Sequence, residues 1–176
     1  MELYVMRHGQ TNYNLLGLCN DDPNNEVYLT EIGMQQAEQA AKQLARIPLS
    51  KIYVSELPRT LQTAQVINQY HNAPITTTHY LNDIKSGFDG KPVSDYFAAT
   101  GHDRYNITPP GGESVKEFKK RVLKFLDEID PNEDLNVLVV THEEAMRVFY
   151  AYFNKLNKEA MLDLDFGNCE LVKFTL

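Results

Sequence analysis

The 176-residue chain has no tryptophan and only two cysteines, Cys19 and Cys169. Two thiols cannot build a disulfide framework, and without a CxxC pair or a His/Cys cluster there is no zinc signature. Both are expected to be packed or incidental. Basic residues are also short, 17 Lys plus Arg against 24 Asp plus Glu, for a formal net charge of −7. Nonspecific nucleic-acid binding needs a basic surface to neutralise phosphates, so no nucleic-acid partner is expected, although a local basic pocket is compatible with this balance. Long apolar runs are missing too. Segments such as residues 138–140 are strand-sized, far below the roughly 20 residues of a membrane-spanning helix. The opening Met1-Glu2-Leu3-Tyr4-Val5-Met6-Arg7-His8 puts an acid where a secretory leader carries basic residues, and its apolar run breaks after four residues. A cytoplasmic location with no membrane partner is therefore expected. No repeat or low-complexity tract occurs, and the densest Pro/Gly segment, residues 108–112, is too short for a linker. Residues 1–176 are expected to form a single domain.

What the chain does contain is ordinary globular composition, 43% hydrophobic and 23% charged. Short β-rich runs alternate with longer helical patterns, the pattern of an α/β fold with a mostly parallel sheet covered by helices. Strands are expected over residues 3–6, 51–54, 75–78, 135–141 and 170–174. Thr30 can cap a helix in which Leu29 and Met34 form a hydrophobic staple and Met34, Ala37, Ala41 and Leu44 make one apolar stripe. Ser114 and Glu117 form an S-x-x-E capping pattern, with Phe118, Val122, Phe125 and Ile129 on one face of the following helix. Further helices are expected over residues 57–70 and 143–153.

In open α/β sheets ligands bind beyond the carboxyl ends of the strands. Three apolar runs end there in costly residues: Arg7-His8-Gly9 after the first, Pro58-Arg59 after the second, and Thr141-His142 at the fourth. Pro58 suits the first position of a helix, which puts Arg59 in the first turn, where the dipole disfavours a cation by a few tenths to about 1 kcal/mol. A cation placed there makes sense if an anion shares the site with the helix amides. Each of these residues alone has an ordinary reading as a hydrogen-bonded or surface group. Together, two arginines and two histidines at one rim would form a phosphate-sized positive pocket. No carboxylate lies at metal-ligand spacing to either histidine, so no metal is expected.

Arg7-His8-Gly9-Gln10-Thr11 resembles the RHG(E/Q)T signature of the histidine phosphatase superfamily, which includes phosphoglycerate mutases and broad phosphatases. Further similar pieces follow in order: Asn14, Leu29-Thr30-x-x-Gly33 with Gln36-Ala37, Ser55-x-x-x-Arg59-Thr60-x-Gln62-Thr63-Ala64, Pro110-Gly111-Gly112-Glu113-Ser114 and Val139-Val140-Thr141-His142. The resemblance spans nearly the whole chain. It implies a phosphoglycerate mutase-like, three-layer α/β/α sandwich with a mostly parallel central sheet. It also implies phosphoryl transfer through a phosphohistidine on His8, with Arg7, Arg59, His142 and Asn14 around the phosphoryl oxygens. Such transfer relies mainly on positioning and charge stabilisation, which fixed cations provide without a metal or other cofactor.

The family's acid loop resembles residues 81–90 here, with Asp83 where a glutamate is usual and one residue missing before Asp89. Asp83 is the expected general acid, and Asp89 is the alternative, its ordinary reading being an Asp-Gly turn. Glu143 and Glu144 follow the second histidine, where many relatives have small residues. The helix dipole accounts for them, or one of them pairs with Arg7 inside the pocket. Residues 20–25 form an unusual loop near the pocket mouth. Residues 83–114 are short for a mutase lid and, with Gly87, Gly90, Gly101 and Pro109-Pro110, read as open loops that admit water.

The expected activity is thus metal-independent hydrolysis of a small phosphorylated metabolite. Phosphoglycerate mutase is the enzymatic alternative, and a non-catalytic phosphate- or partner-binding module is the alternative of another class. Tyr13, Tyr28, Phe88, Tyr96, Phe97 and Tyr105 are candidates for an aromatic mouth. His71, His79 and His102 read as surface residues. Substrate identity and oligomeric state are not encoded in these patterns.

Overall fold

In the computed structural model, residues 1–130 and 135–176 are described. The chain opens with β1 (Glu2–Arg7), an interior strand whose run is buried on both faces, as interior strands of such sheets are. It pairs in parallel with β4 (Asn136–Thr141), which pairs with β2 (Lys51–Val54), which pairs with β3 (Ile75–Thr77). On its other side β1 meets β5 (Leu171–Thr175) antiparallel, giving the order β3-β2-β4-β1-β5 among the described residues.

The period-2 alternation of strand side chains divides the core in two. Tyr4, Met6, Ile52, Val54, Leu138 and Val140 face α2 (Glu31–Leu44) and α3 (Pro58–Asn68). Leu3, Val5, Tyr53, Val137 and Val139 face α5 (Val115–Lys124) and α6 (Glu143–Phe153). This is the three-layer sandwich expected from the sequence. The caps form as read: Thr30 accepts from the Gly33 amide at 3.0 Å, and Ser114 and Glu117 make a reciprocal capping box. The helix begun at Ser114 tightens to a 3-10 turn at Phe125, which still buries Phe125 and Ile129.

Three short helices escaped the sequence reading: α1 (Asn12–Leu16), α4 (Val93–Thr100) and α7 (Lys158–Leu162). The expectation of open loops over residues 83–114 is corrected here. Instead, α4 forms in this stretch, and its approach is tied down by backbone hydrogen bonds from Cys19 to Lys91 (2.9 Å), Gly90 to Cys19 (2.8 Å) and Val93 to Gly17 (2.8 Å). Its N-cap, Pro92, makes no side-chain cap bond, so the usual start signal is missing.

The turn after β1 needs two glycines. A Cβ on Gly33 would sit 2.1 Å from the Gln10 carbonyl oxygen, and one on Gly9 would sit 2.6 Å from that of Gly33. Gly33→Ala is expected to cost about 1–3 kcal/mol by forcing backbone apart. At this chain length that lowers Tm by about 2–12 °C. An unchanged Tm in a thermal melt would show that this contact can relax freely.

Candidate active site

Register brings the strand ends level. Arg7 pairs with Thr141 and Val54 with Val140, so His8, Ser55 and His142 emerge side by side at the C-terminal rim. His8 is buried, and its Nδ1 lies 2.7 Å from the Gly9 carbonyl, which makes Nδ1 the protonated nitrogen. Its Nε2 lone pair accepts from Arg59 Nε at 2.9 Å.

Arg59 stands in the first turn of α3 after Pro58 at its start, as the sequence implied, and is 3% exposed. It organises the site. Its guanidinium donates to His8, to His142 Nδ1 (2.9 Å), to the Asn20 backbone carbonyl (2.9 Å) and side-chain oxygen, and to Asp83 Oδ2 (3.2 Å). Because an arginine only donates, His142 Nδ1 is an acceptor. Its Nε2–H therefore points to Ser55 Oγ, 2.9 Å away, which lies 2.8 Å from Thr60 Oγ1. The two imidazoles sit edge to face with centroids 5.2 Å apart.

Burial, with the charge of Arg59 next, holds both His8 and His142 well below the usual histidine range, so both are neutral at pH 7. Burial also lowers Arg59 to about 10, against the pull of Asp83. Asp83 lies beside Arg59 and 3.6 Å from His142 Nδ1. Burial pushes its carboxyl up to about 6, overriding the opposing charge of Arg59 and aided by that of Glu144.

Arg7 is half-buried. Its Nη1 donates to the Phe166 carbonyl and pairs with Glu143 at 2.8 Å, while Nε is buried with no hydrogen-bond partner. Asn168 Nδ2 donates to the His8 carbonyl at 3.0 Å, and the Cys169 amide to that of Arg7 at 3.0 Å. Segment 166–169 thus braces the end of β1. In α1, Asn14 Oδ1 caps the Thr11 amide at 2.9 Å, which leaves Asn14 Nδ2 for a ligand. Arg7, His8, Asn14, Arg59 and Asp83 all line one cavity of about 350 Å³, and His142 closes behind Arg59.

Asp89 lies apart from this cavity. It accepts from the Asp21 (2.7 Å) and Asp22 (3.0 Å) amides and from the side chains of Asn25 (2.9 Å) and Asn20 (3.3 Å). Burial alone would raise its pKa, but these donors outweigh burial and hold it below the usual value. Asp89 fixes the loop over residues 20–25, from which Asn20 and Asp21 reach the cavity. Glu143 and Glu144 open α6 as the dipole reading expects, yet both also line the cavity, so that reading is incomplete. Of the six aromatic candidates, Tyr13, Tyr96 and Phe97 line it, whereas Phe88 and Tyr105 pack on the core and Tyr28 is exposed. His79 and His102 are exposed, and His71 is half-buried.

Several residues carried no functional role in the sequence reading. Asn20 and Ser55 are partners of Arg59 and His142. Arg121 stands in the last turn of α5, where a basic residue is favoured by the helix dipole. Its Nη1 lies 3.0–3.1 Å from the carbonyls of His79, Tyr80 and Asn82, and its Nη2 lies 3.1 Å from that of Asp83. Glu113 holds Arg121 in turn and accepts from the Lys85 amide at 3.0 Å. The backbone that carries Asp83 is clamped. Among the described residues, no three His, Cys, Asp or Glu side chains gather as a metal site, and no helix is long and apolar enough to cross a membrane.

A neutral, buried imidazole whose Nε2 accepts from Arg59 beside a cavity rimmed by guanidinium groups, with an acid of raised pKa next to it, is an arrangement suited to phosphoryl transfer. Residues 3–176 match the model of the histidine phosphatase superfamily, branch 1, and the chain belongs to that family. It is 30% identical over 174 residues to the 2,3-bisphosphoglycerate-dependent phosphoglycerate mutase of Thermoplasma acidophilum, covering 95% of this chain and 83% of that protein. It is 31% identical over 179 residues to the 6-phosphofructo-2-kinase/fructose-2,6-bisphosphatase of Aquarana catesbeiana, covering 96% of this chain but 35% of that one. The chain therefore spans about a third of the length of this bifunctional relative. The crystal structure of the alpha-ribazole phosphatase from Shigella flexneri superposes with a TM-score of 0.88 at 22% identity, over 98% of this chain and 89% of that one, a likeness of fold.

Proposed function

We propose that the protein hydrolyses the monophosphate ester of a small metabolite through a phosphohistidine on His8. One observation carries this reading: the neutral His8 lines a cavity with its unprotonated Nε2 accepting from Arg59 Nε at 2.9 Å, so that transfer of this donor to a phosphoryl oxygen frees the Nε2 lone pair for attack. In the first step Nε2 attacks phosphorus in line. The N–P bond forms as the P–O bond to the leaving group breaks, and Asp83 gives its proton to the departing oxygen. Arg7, Arg59 and Asn14 hold the equatorial oxygens, while His142, accepting from Arg59 and donating to Ser55, keeps the Arg59 guanidinium in place. In the second step water attacks the phosphohistidine, Asp83 takes the water's proton, and inorganic phosphate leaves with His8 restored. Asp83, carrying a carboxyl with a pKa of about 6, is suited to both roles near neutrality.

The name of the Thermoplasma relative supports a mutase as the second reading. Incubation with 3-phosphoglycerate and a trace of the bisphosphate separates the two. Phosphate release, undiminished by a chelator, is expected. Efficient isomerisation without release would overturn hydrolysis, and no turnover across a broad phosphoester panel would leave a binding module.

Arg121 is read as a positioning residue for Asp83. Arg121→Met removes the clamp on the acid loop and is expected to lower kcat on alkyl phosphates by about 10- to 100-fold, the scale of an ångström-sized misplacement. Nitrophenyl phosphate, whose leaving group needs no proton, should lose far less, and Arg121→Lys should recover part of the difference. An equal loss on both substrates would mean a general structural role.

A further inference from the structure

Charge pairing inside the cavity bears on what the leaving group can be. Four arginines line it, Arg7, Arg59, Arg104 and Arg147, and none of them stands alone. Arg7 pairs with Glu143 at 2.8 Å and Arg59 with Asp83 at 3.2 Å. Arg104 pairs with Glu144 at 2.9 Å, and Arg147 with Glu144 at 3.2 Å and with Glu143. The cavity's fourth acid, Asp21, accepts from the Ser86 amide at 3.0 Å and from its hydroxyl. Arg7 and Arg59 flank His8 and belong to the phosphoryl group. The outer part therefore holds Arg104 and Arg147 charge-paired with two carboxylates, with side chains only 11–23% exposed, although Arg147 Nε is buried without a hydrogen-bond partner.

A second anionic group on the substrate would meet no unpaired cation here. It would have to displace Glu143 or Glu144 from a partly desolvated ion pair, or lie against it as a like charge. A cationic group meets the converse problem, since neither carboxylate is unpaired. Beyond Thr11, Asn14, Asn20 and Ser86, the remaining wall is mainly apolar or aromatic: Tyr13, Leu18, Ile84, Val93 and Phe97, with the Arg104 guanidinium 5.4 Å from the Phe97 ring centroid. Among the described residues, Tyr96 is the uncharged group on this wall whose buried polar atom lacks a partner. The Tyr96 side chain is buried, and its hydroxyl makes no hydrogen bond. An unmade hydrogen bond in such a place is costly, and a hydroxyl on the substrate would supply the missing partner.

We propose that this pocket selects monophosphates of uncharged, partly apolar alcohols that carry a second hydroxyl, and that Glu144 excludes a second anionic group by holding Arg104 and Arg147. The proposal rests on the hydrolase reading above. It assigns Glu144 and Tyr96 as specificity-determining residues for the leaving group.

The test uses glycerol 3-phosphate and 3-phosphoglycerate, which differ only by a CH2OH in place of a carboxylate, with phosphoethanolamine as the cationic probe and phenyl phosphate as the probe without a second hydroxyl. The wild type is expected to favour glycerol 3-phosphate over both charged substrates by about tenfold or more in kcat/KM, the scale of an uncompensated like charge. Glu144→Gln frees Arg104 and should move the ratio toward 3-phosphoglycerate by about tenfold. Arg104→Gln removes the cation and should move it the other way, so the idea survives if one variant fails to fold. Tyr96→Phe should cost about 5- to 20-fold on glycerol 3-phosphate, the worth of one hydrogen bond, and little on phenyl phosphate. Equal or better hydrolysis of 3-phosphoglycerate or phosphoethanolamine by the wild type, or a ratio unmoved by either charge variant, overturns the specificity proposal while the hydrolase reading stands. No phosphate released from any of the four substrates overturns the hydrolase reading, and the specificity proposal with it.

Discussion

His8→Ala is expected to lower turnover by about 10⁴-fold or more, the scale seen when a covalent nucleophile is removed. The imidazole supplies the only bond in the proposed scheme that carries the phosphoryl group between substrate and water. The variant should still fold, because removing the ring costs two local hydrogen bonds, to Gly9 and Arg59, and leaves the sheet register untouched. Arg7 and Arg59 also stay in place, so inorganic phosphate should still protect the variant in a thermal melt. Wild-type enzyme quenched during turnover of a 32P-labelled ester should yield an acid-labile protein adduct, and His8→Ala none. A labelled adduct in the variant, or activity within tenfold of wild type, would rule out His8 as the acceptor.

Asp83→Asn has the second-largest expected effect, a fall of about 10²- to 10⁴-fold on alkyl phosphates, the range for loss of a general acid. Nitrophenyl phosphate should suffer much less. The pH profile gives the more specific signature. His8 must be unprotonated, and burial with the charges of Arg59 and Arg7 holds it well below 6.5, so the rate climbs with pH only in the acid range. Asp83 must hold its proton, and burial raises its pKa to about 6, so above that the rate falls by about tenfold per pH unit. The product of the two limbs is a bell with its maximum below about pH 6. In Asp83→Asn the falling limb should vanish. A variant that keeps the alkaline limb would transfer the acid role to another group.

Arg7, His8, Arg59 and His142 were legible in the sequence for a topological reason. An α/β pattern puts the ends of neighbouring parallel strands on one rim, so charged residues at the ends of separate apolar runs must meet. The Pro58-Arg59 pair even predicted where in its helix the arginine stands. The alternative at Asp89 could not be decided from spacing, because the difference between an acid and a loop anchor lies in donors from residues 20–25, more than sixty positions away. The same holds for Asn20 on Arg59 and Arg121 on the acid loop: hydrogen bonds between distant segments leave no periodicity to read. The helix α4 was missed for a local reason, having eight residues and no side-chain cap. Of the two glutamates after His142, Glu143 makes the pairing with Arg7 that was the alternative to the dipole reading, whereas the partners Arg104 and Arg147 lie at positions that gave no such signal.

The bracing of β1 by segment 166–169 has a consequence for how activity arises during folding. Arg7 and His8 are held by carbonyl and amide contacts to residues about 160 positions further along the chain. Contacts of that separation carry the greatest loop-closure entropy and are costly to form until the sheet between them exists. The helices α2 and α3 can dock on β2 and β4 without bringing these two ends together. Catalytic geometry is therefore among the last features the chain acquires. A partly organised molecule with most of its secondary structure would still lack a fixed His8, so chemistry waits for β5 to close against β1.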